Sequence, residues 1–171
     1  NVSCYGILDG AITFDTVVGG TPNYTYWLQD NNSVQNPLST NPLFDTLAST
    51  YYKAFVIDAN GCLDSLDIYL DQPDSLLIDS FSIHTYIGGN NVSCFGFSDG
   101  QANVYALGGN LGYSYAWSNG DTTNIADTLS ANASYTVTVT DPNGCIAIDS
   151  ISLSQPTPLV INSFSTTQLL C

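Results

Sequence analysis

Large apolar residues alternate with hydroxyl residues over much of this chain. Tyr135, Val137 and Val139 are separated by Thr136, Thr138 and Thr140. One face is therefore apolar and the other polar, the period-2 pattern of a half-buried strand. Tyr113, Tyr115 and Trp117 share a face in the same way, as do Tyr24, Tyr26 and Leu28. Turn chemistry interrupts these runs. Asp58-Ala59-Asn60-Gly61 and Asp141-Pro142-Asn143-Gly144 each lie between two strand-like runs. Asn and Gly accept positive φ, so each tetrad is expected to close a hairpin. Short strands separated by such turns predict an all-β chain built as β-sandwiches, with roughly seven strands to each.

The pattern repeats. Asn1-Val2-Ser3-Cys4-Tyr5-Gly6-Ile7-Leu8-Asp9-Gly10 returns as Asn91-Val92-Ser93-Cys94-Phe95-Gly96-Phe97-Ser98-Asp99-Gly100. Gly19-Gly20 is answered by Gly108-Gly109, the Asp58 turn by the Asp141 turn, and Gln72-Pro73 by Gln155-Pro156. An order kept throughout marks two copies of one unit. Two tandem domains follow, 1–86 and 87–171, with residues 83–90 as the joint. The chain opens inside a motif and reads as a stretch of a longer exported polypeptide.

Composition then removes several functions. Fifteen acidic residues, all Asp, face the single cation Lys53, for a net charge of −14. Nucleic-acid phosphates and anionic lipid both require a cationic surface, so neither is an expected partner. No apolar run approaches the ~20 residues that a membrane-spanning helix needs. With 44% apolar residues the chain can still fill a core. Catalysis has no foothold either. The one histidine, His84, lies in the expected joint, and Asp pairs are unavoidable by chance in so acidic a chain. The chain is not expected to be an enzyme.

Five cysteines stand at 4, 62, 94, 145 and 171. Two pairs occupy matching places in the copies, which favours bridges Cys4–Cys62 and Cys94–Cys145. Such bridges imply an oxidising, extracellular location, and the absence of any Cys-x-x-Cys spacing gives zinc little support. Cys171 is left over. It reads as the opening cysteine of a third unit, unpaired within this chain. Calcium is a weaker expectation: Asp58, Asn60, Asp141 and Asn143 offer hard oxygen ligands, but no acid closes the loop behind them. Trp27 falls on the face opposite Tyr26 and Leu28, where the second copy has Ala116. An outward Trp is a candidate contact with a sugar or partner.

The string Cys-x-Gly-x-x-Asp-Gly, then Gly-Gly, Tyr-x-Tyr, Trp and Tyr-x-Val-x-Val-x-Asp-x-Asn-Gly-Cys resembles the SprB-type repeat of the mobile surface adhesins of gliding Bacteroidota. The second copy fits best, through Gly108, Gly109, Tyr113, Tyr115, Trp117, Tyr135, Val137, Val139, Asp141, Asn143, Gly144 and Cys145. The first departs at Leu28, Ala54 and Val56. The resemblance implies immunoglobulin-like modules in a long extracellular filament, exported by type IX secretion and used in attachment and gliding motility. Its partners would be neighbouring repeats and an extracellular surface or polysaccharide. The alternative is a carbohydrate-binding accessory module of a secreted polysaccharide-degrading enzyme. Asp is followed by Ser or Thr eight times in fifteen. This looks like the O-glycosylation signal that Bacteroidota use on exported proteins, with Thr16, Thr46, Ser65, Ser75, Thr122, Thr128 and Ser150 as candidate sites. The competing reading is an Asp turn leading into a strand.

Overall fold

A computed structural model describes residues 1–32 and 35–166 and contains no helix among them. The fold is all-β, and the chain divides into two compact units.

The first unit comprises Asn1–Leu77 together with Gly108–Gly112 and Asp141–Cys145. Its strands are β1 (Gly10–Thr13), β2 (Thr25–Asp30), β3 (Leu43–Leu47), β4 (Tyr51–Ile57) and β5 (Leu63–Tyr69). β1 pairs with β3 in one sheet, and β2-β4-β5 form the other. Both sheets contribute to one core: Ile12 and Leu47 from the first, Leu28, Tyr52 and Ala54 from the second, closed by Val2 and Leu70. This is the two-layer solution for sheets with one apolar face each. The alternation read in β2 sets its faces, with Tyr26 and Leu28 buried and Trp27 turned outward. Fully burying a Leu such as Leu28 stabilises by about 1.5–3 kcal/mol. The Asp58 turn closes the β4–β5 hairpin, as expected. Gly10 starts β1 where nothing larger fits, since a Cβ there would lie 2.9 Å from the Leu47 carbonyl oxygen.

The second unit comprises Ile78–Leu107, Tyr113–Thr140 and Ile146–Cys171. Its strands are β6 (Leu77–Ile83), β7 (Gly100–Leu107), β8 (Ser114–Trp117), β9 (Ile125–Leu129), β10 (Ser134–Thr140) and β11 (Ile146–Ser152). The sheets are β6-β7-β9 and β11-β10-β8. Ala102, Val104, Ala126 and Leu129 are buried from one, Val137, Val139 and Trp117 from the other. The Trp117 indole N–H donates to the Thr123 carbonyl at 3.0 Å, which satisfies its polar edge, and Phe81 meets its ring edge-on.

The described strands thus number five and six. The boundary also differs from the expected one after residue 86, falling between Leu77 and Ile78. The physical reason is β6, whose residues pair with β7 and so belong to the second unit. The segment read as a joint is tied down there. His84 N–H donates to Gln101, Tyr86 N–H to Asn90 and the Tyr86 hydroxyl to Asp99.

Candidate functional site

The cysteine pairing expected from the sequence is corrected by the structure. Cys4 is bonded to Cys145, with Cα atoms 5.7 Å apart, while Cys62 and Cys94 are free and exposed. Strand direction is the cause. In the first copy the opening loop docks at the far end of β5, where Val2 N–H donates to Asp71 and Gly6 N–H to Gln72 Oε1. Cys62 stands at the near end of the same strand. The eight residues from Cys62 to Leu70 span roughly 26 Å at strand pitch, and a disulfide needs Cα atoms about 4–7 Å apart. Gly96 N–H donates to Gln155 Oε1 in the second copy. The opening loop thus again lies at one end of β11 and the turn cysteine at the other. Neither Cys4–Cys62 nor Cys94–Cys145 can close. Cys171 lies outside the described residues.

The bridge is the centre of a polar junction built wholly within the first unit. Asn143 Nδ2 donates to the Ser3 carbonyl at 3.1 Å, beside the bond from Cys4 to Cys145. Asp141 organises the turn that presents Cys145. Its Oδ1 accepts N–H bonds from Asn143 and Cys145, and its Oδ2 accepts the Asn110 N–H and side-chain amide. Burial pushes the Asp141 carboxyl upward, but these donors outweigh it and hold its pKa below the ordinary value. Gly108 approaches too closely for any side chain, since a Cβ there would run into the Ser75 carbonyl oxygen. This junction was missed in the sequence.

The calcium candidates have other work. Asp58 Oδ1 accepts the Asn60 and Cys62 N–H groups and Oδ2 accepts that of Thr21, which lowers its pKa. Asn60 Nδ2 donates to Thr21 Oγ1. Asp58 and Asp141 therefore head equivalent turns whose N–H donors point at the carboxylates. Among the described residues no three His, Cys, Asp or Glu side chains converge as a metal cage. Asp9 and Asp99 hold the opening loops, each accepting the backbone N–H and hydroxyl of Ser3 or Ser93. Those bonds hold both carboxyls low.

Trp27 is half-buried on the outer face of β2 and stacks on Phe55, its cross-strand neighbour, at 4.9 Å and 5° between planes. Of the Asp-Ser/Thr candidates, Thr16, Thr46, Ser65, Thr122, Thr128 and Ser150 are exposed and Ser75 is half-buried. Two have a backbone role. Thr46 and Thr128 take φ of 56° and 54°, uncommon for a β-branched residue, opposite the irregularities between Gly10 and Ile12 and between Gly100 and Ala102. His84 is exposed.

Two segments, residues 1–33 and 90–122, match the family model described as the SprB repeat. They begin at the two opening motifs. No curated protein matches. Three solved structures are similar in fold alone. The C-terminal fragment of intimin, solved with the intimin-binding domain of the translocated intimin receptor, is 15% identical with a TM-score of 0.46. It covers 77% of this chain and 51% of that one. The three N-terminal domains of the bacteriophage RB49 outer capsid protein Hoc are 19% identical with a TM-score of 0.48, over 90% and 56%. The amphioxus IgVJ-C2 molecule is 11% identical with a TM-score of 0.34, over 86% and 96%. This chain spans about half the length of the first two.

Proposed function

We propose that this chain is a repeat segment of an extracellular surface adhesin, non-catalytic, with its neighbouring repeats and an outer surface or polysaccharide as partners. The observation that carries the reading is the repeated opening motif, matched twice by the SprB repeat. Asp9, Asp58, Asp99 and Asp141 are engaged in turns and loop closure, which fits a structural role for these four acids. Gliding motility and type IX export extend the reading as the finer expectation for such a filament. Its net charge of −14 would keep neighbouring filaments apart, and weak contacts repeated along one polypeptide multiply into avidity. Antibodies to the chain should label intact cells of the source organism. Label appearing only after permeabilisation would overturn the proposal.

A second reading is favoured by the Trp27–Phe55 stack, which the second copy replaces with Ala116 and Thr138. A flat, partly exposed aromatic pair suits the apolar face of a sugar ring, as in an accessory module of a polysaccharide-degrading enzyme. Glycan-array binding that vanishes in Trp27→Ala would support this reading, and an unchanged blank array would remove it. The exposed Asp-Ser/Thr sites are proposed as O-glycan acceptors. An intact mass of native material equal to the bare polypeptide would end that proposal.

A further inference from the structure

In the second unit β6 covers the outer edge of β7, giving the order β6-β7-β9. In the first unit the equivalent sheet is β1-β3 alone. β1 has no neighbour on its other side among the described residues. Beside it lies a groove of about 430 Å³, with Ile12 and Phe14 on one wall and Ala54, Val56, Leu66 and Ile68 on the other. Leu66 sits opposite Ala54 in the β4–β5 ladder and so shares the core-facing side, yet it is 68% exposed. Leu66 thus adds an open apolar side chain to the groove.

A second segment of the chain carries the sequence pattern of β6. Val160-Ile161-Asn162-Ser163-Phe164-Ser165-Thr166 follows Gln155-Pro156 at the same spacing as Leu77-Ile78-Asp79-Ser80-Phe81-Ser82-Ile83 follows Gln72-Pro73. The second of these is β6. The first has no strand partner, and Ile161 and Phe164 are 87% and 89% exposed. The free cysteines repeat the same asymmetry. Cys62 sits in a turn with the hydrogen bonds of the Cys145 turn: Asp58 N–H to the Cys62 carbonyl at 3.0 Å, and Asp141 N–H to the Cys145 carbonyl at 3.0 Å. Cys94 sits in a loop with the bonds of the Cys4 loop, down to the 2.8 Å bond from Gly96 to Gln155 that matches Gly6 to Gln72. Each half of the Cys4–Cys145 junction therefore has a spare copy.

We propose that the groove beside β1 is a binding site for the 160–166 strand of another copy of this two-repeat chain, added head to tail, and that Cys94 of that copy then bonds to Cys62. β-Strand addition supplies the main-chain ladder, and Phe164 takes the place that Phe81 holds in the second unit. The contact is heterologous, so each copy offers one donor segment and one acceptor groove. Bond formation removes one proton from each thiol and two electrons in all. Oxidised glutathione takes both up and leaves as two molecules of reduced glutathione.

The inference rests on the tandem-repeat reading but not on adhesion or location, so surface labelling and this test can fail independently. The test uses concentrated Cys171→Ser chain in a glutathione redox buffer, followed by a non-reducing gel and peptide mapping. The expected result is a ladder whose new linkage joins Cys62 to Cys94 between molecules. It should be lost in Cys62→Ser and fall at least tenfold in Phe164→Asp, which leaves a fully exposed position folded as before. The same chain in urea gives the statistical reference. Linkage no richer in Cys62–Cys94 than that reference, a Cys62–Cys94 bridge within one molecule, or a ladder indifferent to Phe164→Asp overturns the proposal.

Discussion

β7 and β1 start at equivalent glycines, Gly100 and Gly10, and feed equivalent cores, yet β7 runs eight residues and β1 four. The side chains do not explain this, since Phe14 and Val17 are as fit for a strand as Val104 and Leu107. The partner does. β7 is bonded on both sides and β1 on one, and backbone groups without a ladder partner have no reason to stay extended. The lesson is that one sequence unit does not coincide with one complete sandwich. The second unit's sheet is finished by β6, a strand that precedes that unit's opening motif.

Equivalent substitutions in the two copies test that comparison, and the cysteines should give the largest effect. The Cys4–Cys145 bridge spans a sequence separation of 141 residues. In the chain-entropy model its loss costs about 5 kcal/mol, an upper figure for such bridges. Cys4→Ser should lower the melting temperature strongly, and Cys94→Ser, at the matching place, should leave it unchanged. Next comes the added strand. Phe81→Ala removes a ring packed on Trp117 and should cost about 2–4 kcal/mol in denaturant unfolding. Phe164→Ala, its counterpart, should cost nothing measurable in the isolated chain.

The turn acids should separate by a smaller margin. Asp141→Ala strips a buried carboxylate from four donors and should destabilise by on the order of 2 kcal/mol. Asp58→Ala should do less, because Asp58 is more exposed. The same groups set the acid limit. The N–H and hydroxyl groups donated to Asp9, Asp58, Asp99 and Asp141 hold all four carboxyls below the ordinary Asp value. Their contribution is complete above the unfolded value near 4 and is lost as pH falls through the lower folded values. Thermal melts should be flat from about pH 7 to 5 and fall below about 4. The smallest expected change is that of EDTA against calcium. With N–H donors already on Asp58 and Asp141, the melting temperature should not move, and a rise with calcium would return those turns to the list of metal sites.

Much of the fold was legible because its signals are local. Alternation set the faces of β2 and β10, and the Asp-x-Asn-Gly tetrads set two hairpins. The cysteine pairing was not legible, because matching Cys4 with Cys62 by position ignores that β5 carries the chain about 26 Å from one to the other. A signal for the boundary did exist in the kinship of residues 77–83 with 160–166. What could not be seen from sequence is that such a strand joins the sheet ahead of it rather than the one behind. Trp27 was placed correctly outward by alternation alone, but its stack on Phe55 needed the register of β2 on β4.

The bond from Cys4 to Cys145 also decides what a pull on the two ends of this polypeptide can reach. Tension entering before Cys4 crosses the sulfur atoms and leaves after Cys145, so β1 through β10 carry none of it while the cystine is intact. At about 3.4 Å per residue, the 141-residue separation withholds roughly 480 Å of slack. Only β11 and the residues after it remain to pay out under load, and a reductant would act as the release.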